Sequence, residues 1–203
     1  MPFFQPIPGE TPLTDVSELK IKGILYRSQL NKVESTNITK ALSRYFGGTL
    51  TRSEAPFDYA WFLRLHREMF EEVWGWAGRL RTSVTNIGIE PRFIEQKLYE
   101  LSLNLPYWVN EPLLKQAVML HHQAVHIHPF ENGNGRWSRA LANLWLYLHG
   151  HEPTDWPGTV LSEESAVRGE YIEGIKAADK GNYGLLLALH ERFTPIDKAA
   201  EEE

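Results

Sequence analysis

His126-Ile127-His128-Pro129-Phe130-Glu131-Asn132-Gly133-Asn134-Gly135-Arg136-Trp137-Ser138-Arg139 is the stretch on which the reading of the whole chain turns. It separates two apolar-periodic segments. Before it, Asn110-Glu111-Pro112 reads as a helix start, with Asn as cap and Pro in the first turn. Leu113, Leu114, Ala117, Val118, His121, Ala124 and Val125 then recur at three and four residues. After it, a helix over about Gly135 to Leu148 ends at Gly150. Pro129 disfavours helical backbone at the preceding residue, so the first helix should end with an extended His128. Gly133 and Gly135 allow positive φ and close approach of a ligand to bare backbone. The sequence predicts helix, loop, helix.

The chemistry of that loop follows from its ends. The second helix directs its free N–H groups and positive dipole end into the loop, which suits an anion such as phosphate. Arg136 and Arg139 lie one turn apart on one face and can reach negative oxygens. His128, at the other end, is the one base there that titrates near neutrality. A base facing a phosphate cradle with two arginines points to phosphoryl or nucleotidyl transfer to a hydroxyl.

Outward from the loop, the pattern stays helical. A helix from Ser28 carries Leu30, Val33, Asn37, Ala41, Leu42 and Tyr45 and stops at Gly47-Gly48. Pro56 precedes a second, striped by Trp61, Phe62, Leu65, Met69 and Val73 and broken at Gly75 and Gly78. A third follows Pro91 with Phe93, Ile94, Leu98, Leu101, Leu105 and Trp108. Ser162 should cap a helix running to about Ala178, and Tyr183 to Phe193 is the last. One segment breaks the period. Leu80 to Gly88 is rich in β-branched residues and reads as a short extended piece or hairpin. The expected fold class is all-α with one short β-hairpin. Residues 1–24 form an irregular leader, 25–194 the domain and 195–203 a charged tail.

Composition bounds the rest. The chain has 203 residues, 42% of them apolar, enough for a core. A net charge of −5 argues against a broad basic face for nucleic acid. The absence of cysteine excludes disulfides and zinc–thiolate sites. No signal peptide or apolar run of membrane-spanning length is seen, so a cytoplasmic protein with no membrane partner is expected.

Residues 128–139 match every fixed letter of His-Pro-Phe-x-x-Gly-Asn-Gly-Arg-x-x-Arg, and here the chain resembles the Fic-domain proteins. The likeness extends over roughly residues 25–190. It includes the Tyr59-Ala60-Trp61 to Trp76-Ala77-Gly78 helix, the Arg81 to Gly88 segment, the Asn143 helix and Arg168 to Ala177. The Leu30-Asn31-x-x-Glu34-x-x-Asn37-Ile38 helix is similar to that of the bacterial subgroup called mobile mystery protein B.

The resemblance implies a Fic-type helical bundle that transfers AMP from ATP to a Ser, Thr or Tyr hydroxyl of a target protein, releasing pyrophosphate. It implies His128 as general base and Phe130 as the anchor of the loop. Gly133, Asn134 and Gly135 would cradle phosphates, Arg136 would hold the β/γ-phosphates and Arg139 the γ-phosphate. Arg81, Thr82, Ser83, Val84, Thr85, Asn86, Ile87 and Gly88 would be the flap that pairs with the target backbone by strand addition. Mg²⁺ is the implied cofactor. The family has Asp or Glu where this chain has Asn132, a weaker ligand for a hard cation. Either Asn132 binds Mg²⁺ less tightly, or Glu131 supplies the oxygen, or the transferred group is a different phosphate-linked one. An inhibitory glutamate pairs with the second motif arginine in relatives. Glu34 is the candidate here, directed at Arg139; Gly169-Glu170-Tyr171-Ile172-Glu173-Gly174 also approaches the inhibitory motif but sits in core. Expected partners are a nucleotide, a hydroxyl-bearing protein and an antitoxin or regulatory protein.

Two rival readings stand beside this one. His122 and His126 are four apart on one helical face, the spacing of two metal ligands, with His121 and His128 beside them. No Glu stands between them as in HExxH and no third acidic ligand is evident, so they read as capping or packing residues. The other rival is a catalytically weak or inactive module that binds nucleotide or protein.

Overall fold

The computed structural model describes residues 12–13, 15–158 and 165–195. Seven α-helices are found among them: α1 Arg27–Phe46, α2 Tyr59–Phe70, α3 Ile94–Asn104, α4 Leu113–Ile127, α5 Asn134–Leu148, α6 Ala166–Ala178 and α7 Gly184–Phe193. Short 3₁₀ turns at Pro91–Phe93 and Leu105–Trp108 flank α3. Pro106, with no N–H for the α-helical ladder, falls where the expected third helix changes from α to 3₁₀. The fourth helix starts later than the Asn110 cap implies, with Pro112 itself in the cap position. Ser162 lies outside the described residues; Ser165 caps α6, its hydroxyl accepting from Arg168 N–H at 3.1 Å.

The core is aromatic. Asp58 caps α2 by accepting from Trp61 N–H at 2.7 Å, and the helix then buries Trp61, Phe62, Leu65, His66, Met69 and Phe70. Phe130, Trp137, Leu141 and Leu144 of the motif loop and α5 meet this face. Complete burial of each large side chain contributes about 1.5–3 kcal/mol, so the motif loop is tied to the best-packed part of the molecule. The α6–α7 pair packs separately on α4 through Val118, Ala178 and Leu186.

Helix α1 is held by polar as well as apolar side chains. Asn37 donates to the Glu68 carbonyl at 3.2 Å and accepts from Glu72 N–H at 3.1 Å, satisfying backbone groups at the end of α2. Tyr45 donates to Glu68 Oε2 at 2.7 Å. The irregular segment before α1 lays Val16, Leu19, Ile21 and Ile24 on the core, and Leu19 forms an isolated antiparallel bridge with Trp74.

The expected hairpin over Arg81–Gly88 is not formed; no strand occurs among the described residues. Instead of a cross-strand ladder, the segment is organised by one buried cation. Arg81 is 2% exposed. Its Nε donates to the His128 carbonyl at 2.6 Å, Nη1 to the Ser83 carbonyl at 2.7 Å and Nη2 to the Ile89 carbonyl at 2.6 Å. Its backbone N–H donates to the Pro129 carbonyl at 2.9 Å. Gly88, at φ +100°, then turns the chain against His128.

Candidate active site

The motif loop begins where α4 ends. His128 is not extended: it takes the left-handed conformation, φ 51° and ψ 60°, and its N–H caps α4 on the Ala124 carbonyl. Proline at 129 removes the right-handed helical option but leaves two others, and the αL form closes the helix end. His128 is 7% exposed, with Gly88 close against its Cβ and the Arg81 guanidinium near enough to act on its charge. Burial pushes it down to about 4, with the Arg81 charge adding and a hydrogen bond to the Val125 backbone opposing. At neutral pH the ring is therefore uncharged, but it titrates well below the near-neutral range expected from the sequence, because burial and the Arg81 charge oppose its protonation.

Phe130 is fully buried, as the anchor role requires, edge-on to Trp137 at 5.0 Å and stacked on His66 at 3.6 Å. His66 is a site residue that sequence reasoning missed. Gly78 N–H donates to its Nδ1 at 3.0 Å, so the ring proton sits on Nε2, which donates to the Asn132 carbonyl at 3.1 Å. Burial pushes His66 down to about 3, so it stays neutral and in that tautomer. Its one detectable signal was its place inside the α2 apolar stripe, four residues from both Phe62 and Phe70.

The Asn134 side chain does not face a ligand. It accepts from Phe130 N–H at 2.9 Å and donates to the Phe130 carbonyl at 2.8 Å, closing the loop on itself. What Asn134 can offer a phosphate is its backbone N–H, with those of Gly135 and Arg136, in the first turn of α5. Gly133 is required twice over. Its φ is +79°, and a Cβ would stand 2.5 Å from the Phe70 ring.

Asn132 Oδ1 accepts from Gly133 N–H at 2.7 Å and from Arg136 Nη2 at 3.3 Å. Its amide oxygen therefore serves the loop. Glu131 is held more loosely, accepting from the Ser83 hydroxyl at 3.3 Å. Glu131 is thus the better placed of the two oxygen donors for a hard cation.

The two arginines diverge. Arg136 lies over the Phe70 ring at 4.9 Å and donates from Nη1 to Glu34 Oε2 at 2.6 Å. Trp74 Nε1 donates to the other Glu34 oxygen at 2.7 Å, and Glu34 is 3% exposed. Glu34 therefore engages the first motif arginine and not Arg139, correcting the expected pair. The space left between α1 and Arg136, lined also by Leu30, Asn31 and Asn132, is only about 20 Å³. That holds one water and no phosphate.

Arg139 faces α6, its guanidinium 5.7 Å from the Tyr171 ring, and forms no ion pair among the described residues. Burial foremost, and Arg136 and Arg168 nearby, press it below the usual arginine range. An anion would relieve that crowding. Behind it, Tyr171 OH meets His121 Nε2 at 2.9 Å, His121 Nδ1 meets His190 Nε2 at 3.0 Å and His190 Nδ1 meets Thr154 Oγ1 at 3.0 Å. His121 is thus committed to a buried polar chain. His122 and His126 instead turn together toward Asp179, a third ligand-type residue that sequence spacing did not reveal.

Known proteins share parts of this sequence and its fold. Residues 56–146 match the model of the Fic/DOC family. Protein adenylyltransferase fic-1 of Caenorhabditis elegans is 28% identical over 116 residues, 52% of this chain and 21% of that protein. Protein adenylyltransferase Fic of Aedes aegypti is 28% identical over 151 residues, 70% of this chain and 28% of that one. The chain thus spans under a third of the length of these two curated relatives. Among solved structures, a fragment of Fic-1 from C. elegans superposes with a TM-score of 0.66 at 23% identity, over 85% of this chain and 50% of that one. BepC from Bartonella tribocorum, solved with bound AMPPNP, gives 0.66 at 21% identity over 90% and 95%. The all-helical Fic fold is shared, and no helix among the described residues is long and apolar enough to cross a membrane.

Proposed function

We propose that this Fic domain is a protein nucleotidyltransferase that moves AMP from ATP to a Ser, Thr or Tyr hydroxyl of a target protein. In the reaction, the hydroxyl oxygen attacks the α-phosphorus, the bond from that phosphorus to the bridging oxygen of pyrophosphate breaks, and the hydroxyl proton passes to His128. One observation carries the reading. The His128 base and the free first-turn N–H groups of α5 stand at opposite ends of one rigid loop, with Arg139 beside it unpaired with any carboxylate among the described residues. The names of the relatives point the same way, and the similarity at α1 favours the mobile mystery protein B type.

Two parts must move for turnover. Arg136 has to exchange the Glu34 carboxylate for phosphate oxygens, since the two compete for the same donors. The cover over His128 has to open, and a target backbone docking along the exposed Thr82 to Asn86 edge would be the agent. Mg²⁺, when bound, would neutralise the phosphates and draw charge from the leaving group. Glu131 fits that ion; Asn132, committed to Gly133 and Arg136, fits it poorly. A regulatory or antitoxin protein would act by tightening or releasing α1.

A second reading, a Fic-fold module that binds without transfer or carries another phosphate-linked group, is favoured by the commitment of Asn132. Intact-mass analysis of candidate targets with each nucleoside triphosphate and Mg²⁺ separates them. An AMP increment from ATP, lost in His128→Ala, supports the proposal. A different nucleotide increment keeps the reaction class and changes the donor. No increment with any nucleotide, in wild type and in Glu34→Gly, leaves the binding module.

A further inference from the structure

Away from the motif loop, α4 carries a second constellation. His122 Nε2 lies 3.0 Å from Asp179 Oδ1, and His126 Nδ1 lies 3.1 Å from the same oxygen. All three ligand atoms fall within 4.8 Å of one another. The residues come from two places far apart in sequence: one face of α4, and the residue closing α6. Tyr183, at the start of α7, places its hydroxyl 3.5 Å from His122 Nδ1. His122 is buried, whereas His126 and Asp179 are 52% and 43% exposed at the side chain.

We propose that His122, His126 and Asp179 form a binding site for a divalent transition-metal ion of the Zn²⁺ class. The donor set decides the class. Two imidazole nitrogens and one carboxylate oxygen suit Zn²⁺, Co²⁺ or Ni²⁺, whereas Mg²⁺ and Ca²⁺ prefer an all-oxygen shell. The spacing fits as well. Ligand bonds of about 2.0–2.2 Å in a tetrahedron imply donor atoms about 3.4 Å apart, so the observed 3.0 and 3.1 Å need only a slight spreading. The i, i+4 pair on a rigid helix fixes two corners of the tetrahedron in advance. Entry is open, since two of the three side chains face solvent. Tyr183 stands where a partner for the non-ligating nitrogen of His122 belongs, and such partners set tautomer and orientation. Three protein ligands leave at least one position for water.

Bound there, the ion would clamp the α6–α7 turn onto the last turn of α4, two residues before His128. The site is independent of nucleotide transfer and asks nothing of ATP or a target. It also differs in kind from the Mg²⁺ position at Glu131, which lies on the motif loop and has only oxygen to offer.

The test uses the whole chain without an affinity tag, stripped with chelator. Titration with Co²⁺ should give visible d–d absorption of low-coordinate geometry saturating at one equivalent, and competition with Zn²⁺ should erase it. Zn²⁺ should raise the melting temperature, and Mg²⁺ should neither do so nor compete. Asp179→Asn and His126→Gln, both at solvent-facing positions, should each weaken Co²⁺ binding at least about 100-fold, since even loss of an outer partner costs roughly 10–100-fold. His151→Gln, an exposed histidine elsewhere, should bind as wild type. Melting of each variant without metal verifies its fold. Absence of a saturable spectrum, or equal binding by Asp179→Asn and His126→Gln, overturns the proposal.

Discussion

Glu34 on α1 and Arg136 on α5, 102 residues apart in sequence, form an ion pair at 2.6 Å in which the carboxylate is buried and the guanidinium partly exposed. Trp74 completes the carboxylate's hydrogen bonding. Removing Glu34 leaves the Trp74 N–H without its acceptor and takes the carboxylate from Arg136, so Glu34→Gly should cost about 1–3 kcal/mol in chemical denaturation, less than a fully buried pair because Arg136 reaches water and keeps Asn132. The same change should raise nucleotide affinity and target labelling by freeing Arg136. Glu34→Gln, which can still accept from Trp74, should recover most of the stability and keep much of the gain in labelling. Labelling unchanged in both variants would remove Glu34 from regulation.

His128→Ala should abolish transfer while nucleotide binding stays within about tenfold, because a general base contributes roughly 10²–10⁴-fold to rate and little to ground-state affinity. Single-turnover labelling and equilibrium nucleotide binding, measured on the same preparation, check both halves.

Asn132→Asp preserves both acceptor roles of the side chain, toward Gly133 N–H and Arg136, and adds an anionic oxygen. It should fold as wild type and lower the Mg²⁺ needed for half-maximal labelling. Glu131→Ala should raise that requirement. Parallel Mg²⁺ titrations decide, and two unchanged curves would mean that neither side chain touches the ion.

Gly133→Ala meets the Phe70 ring and a left-handed backbone together, so it should lower stability by about 2 kcal/mol or more and reduce labelling through loop distortion. Gly135→Ala is the control. A Cβ there would meet nothing closer than Arg139 Nη1 at 3.5 Å, an ordinary contact, and stability should hold. Urea unfolding of the pair reads the difference.

His190 is buried neutral between His121 of α4 and Thr154, with Arg139 of α5 near enough to oppose its protonation. Burial first, then Arg139, pushes it down to about 3 from an ordinary 6.5. The unfolded chain therefore binds a proton that the fold refuses. Stability from this group is full above about pH 6.5 and falls as pH drops toward 3, by up to about 1.4 kcal/mol per pH unit. His190→Gln should be less stable at pH 7 yet show a shallower loss between about pH 6.5 and 4.5. Equal slopes in wild type and variant would mean that His190 titrates normally.

The sequence was most legible where local physics decides. Apolar spacing located the helices of the bundle, and Pro129 with Gly133 located the loop. Long-range contacts were not legible. Glu34 lies on the same face as Leu30, Asn37 and Ala41, so its burial was readable, but spacing cannot say whether α1 meets Arg136 or Arg139. Pro129 excludes one backbone conformation for His128 and does not choose between the remaining two. The β-branched run after Leu80 suggested strand because propensity there is local, whereas the Arg81 contacts that override it reach Ile89 and the His128 carbonyl. His122 and His126 announced a pair, and their third neighbour came from 53 residues beyond the second histidine.

Because Arg81 grips only main-chain oxygens, much of the frame above His128 is held without regard to side-chain identity, while the Thr85 hydroxyl, donating to the Ile87 carbonyl at 2.6 Å, helps to hold the turn. Thr82, Val84 and Asn86 are exposed, and the guanidinium touches the segment through the carbonyls of Ser83 and Ile89. Thr82 and Val84 are therefore positions whose lettering can be rewritten while the frame stays fixed. Libraries randomised there, with Arg81 and Gly88 kept, would be the economical place to look for altered target choice.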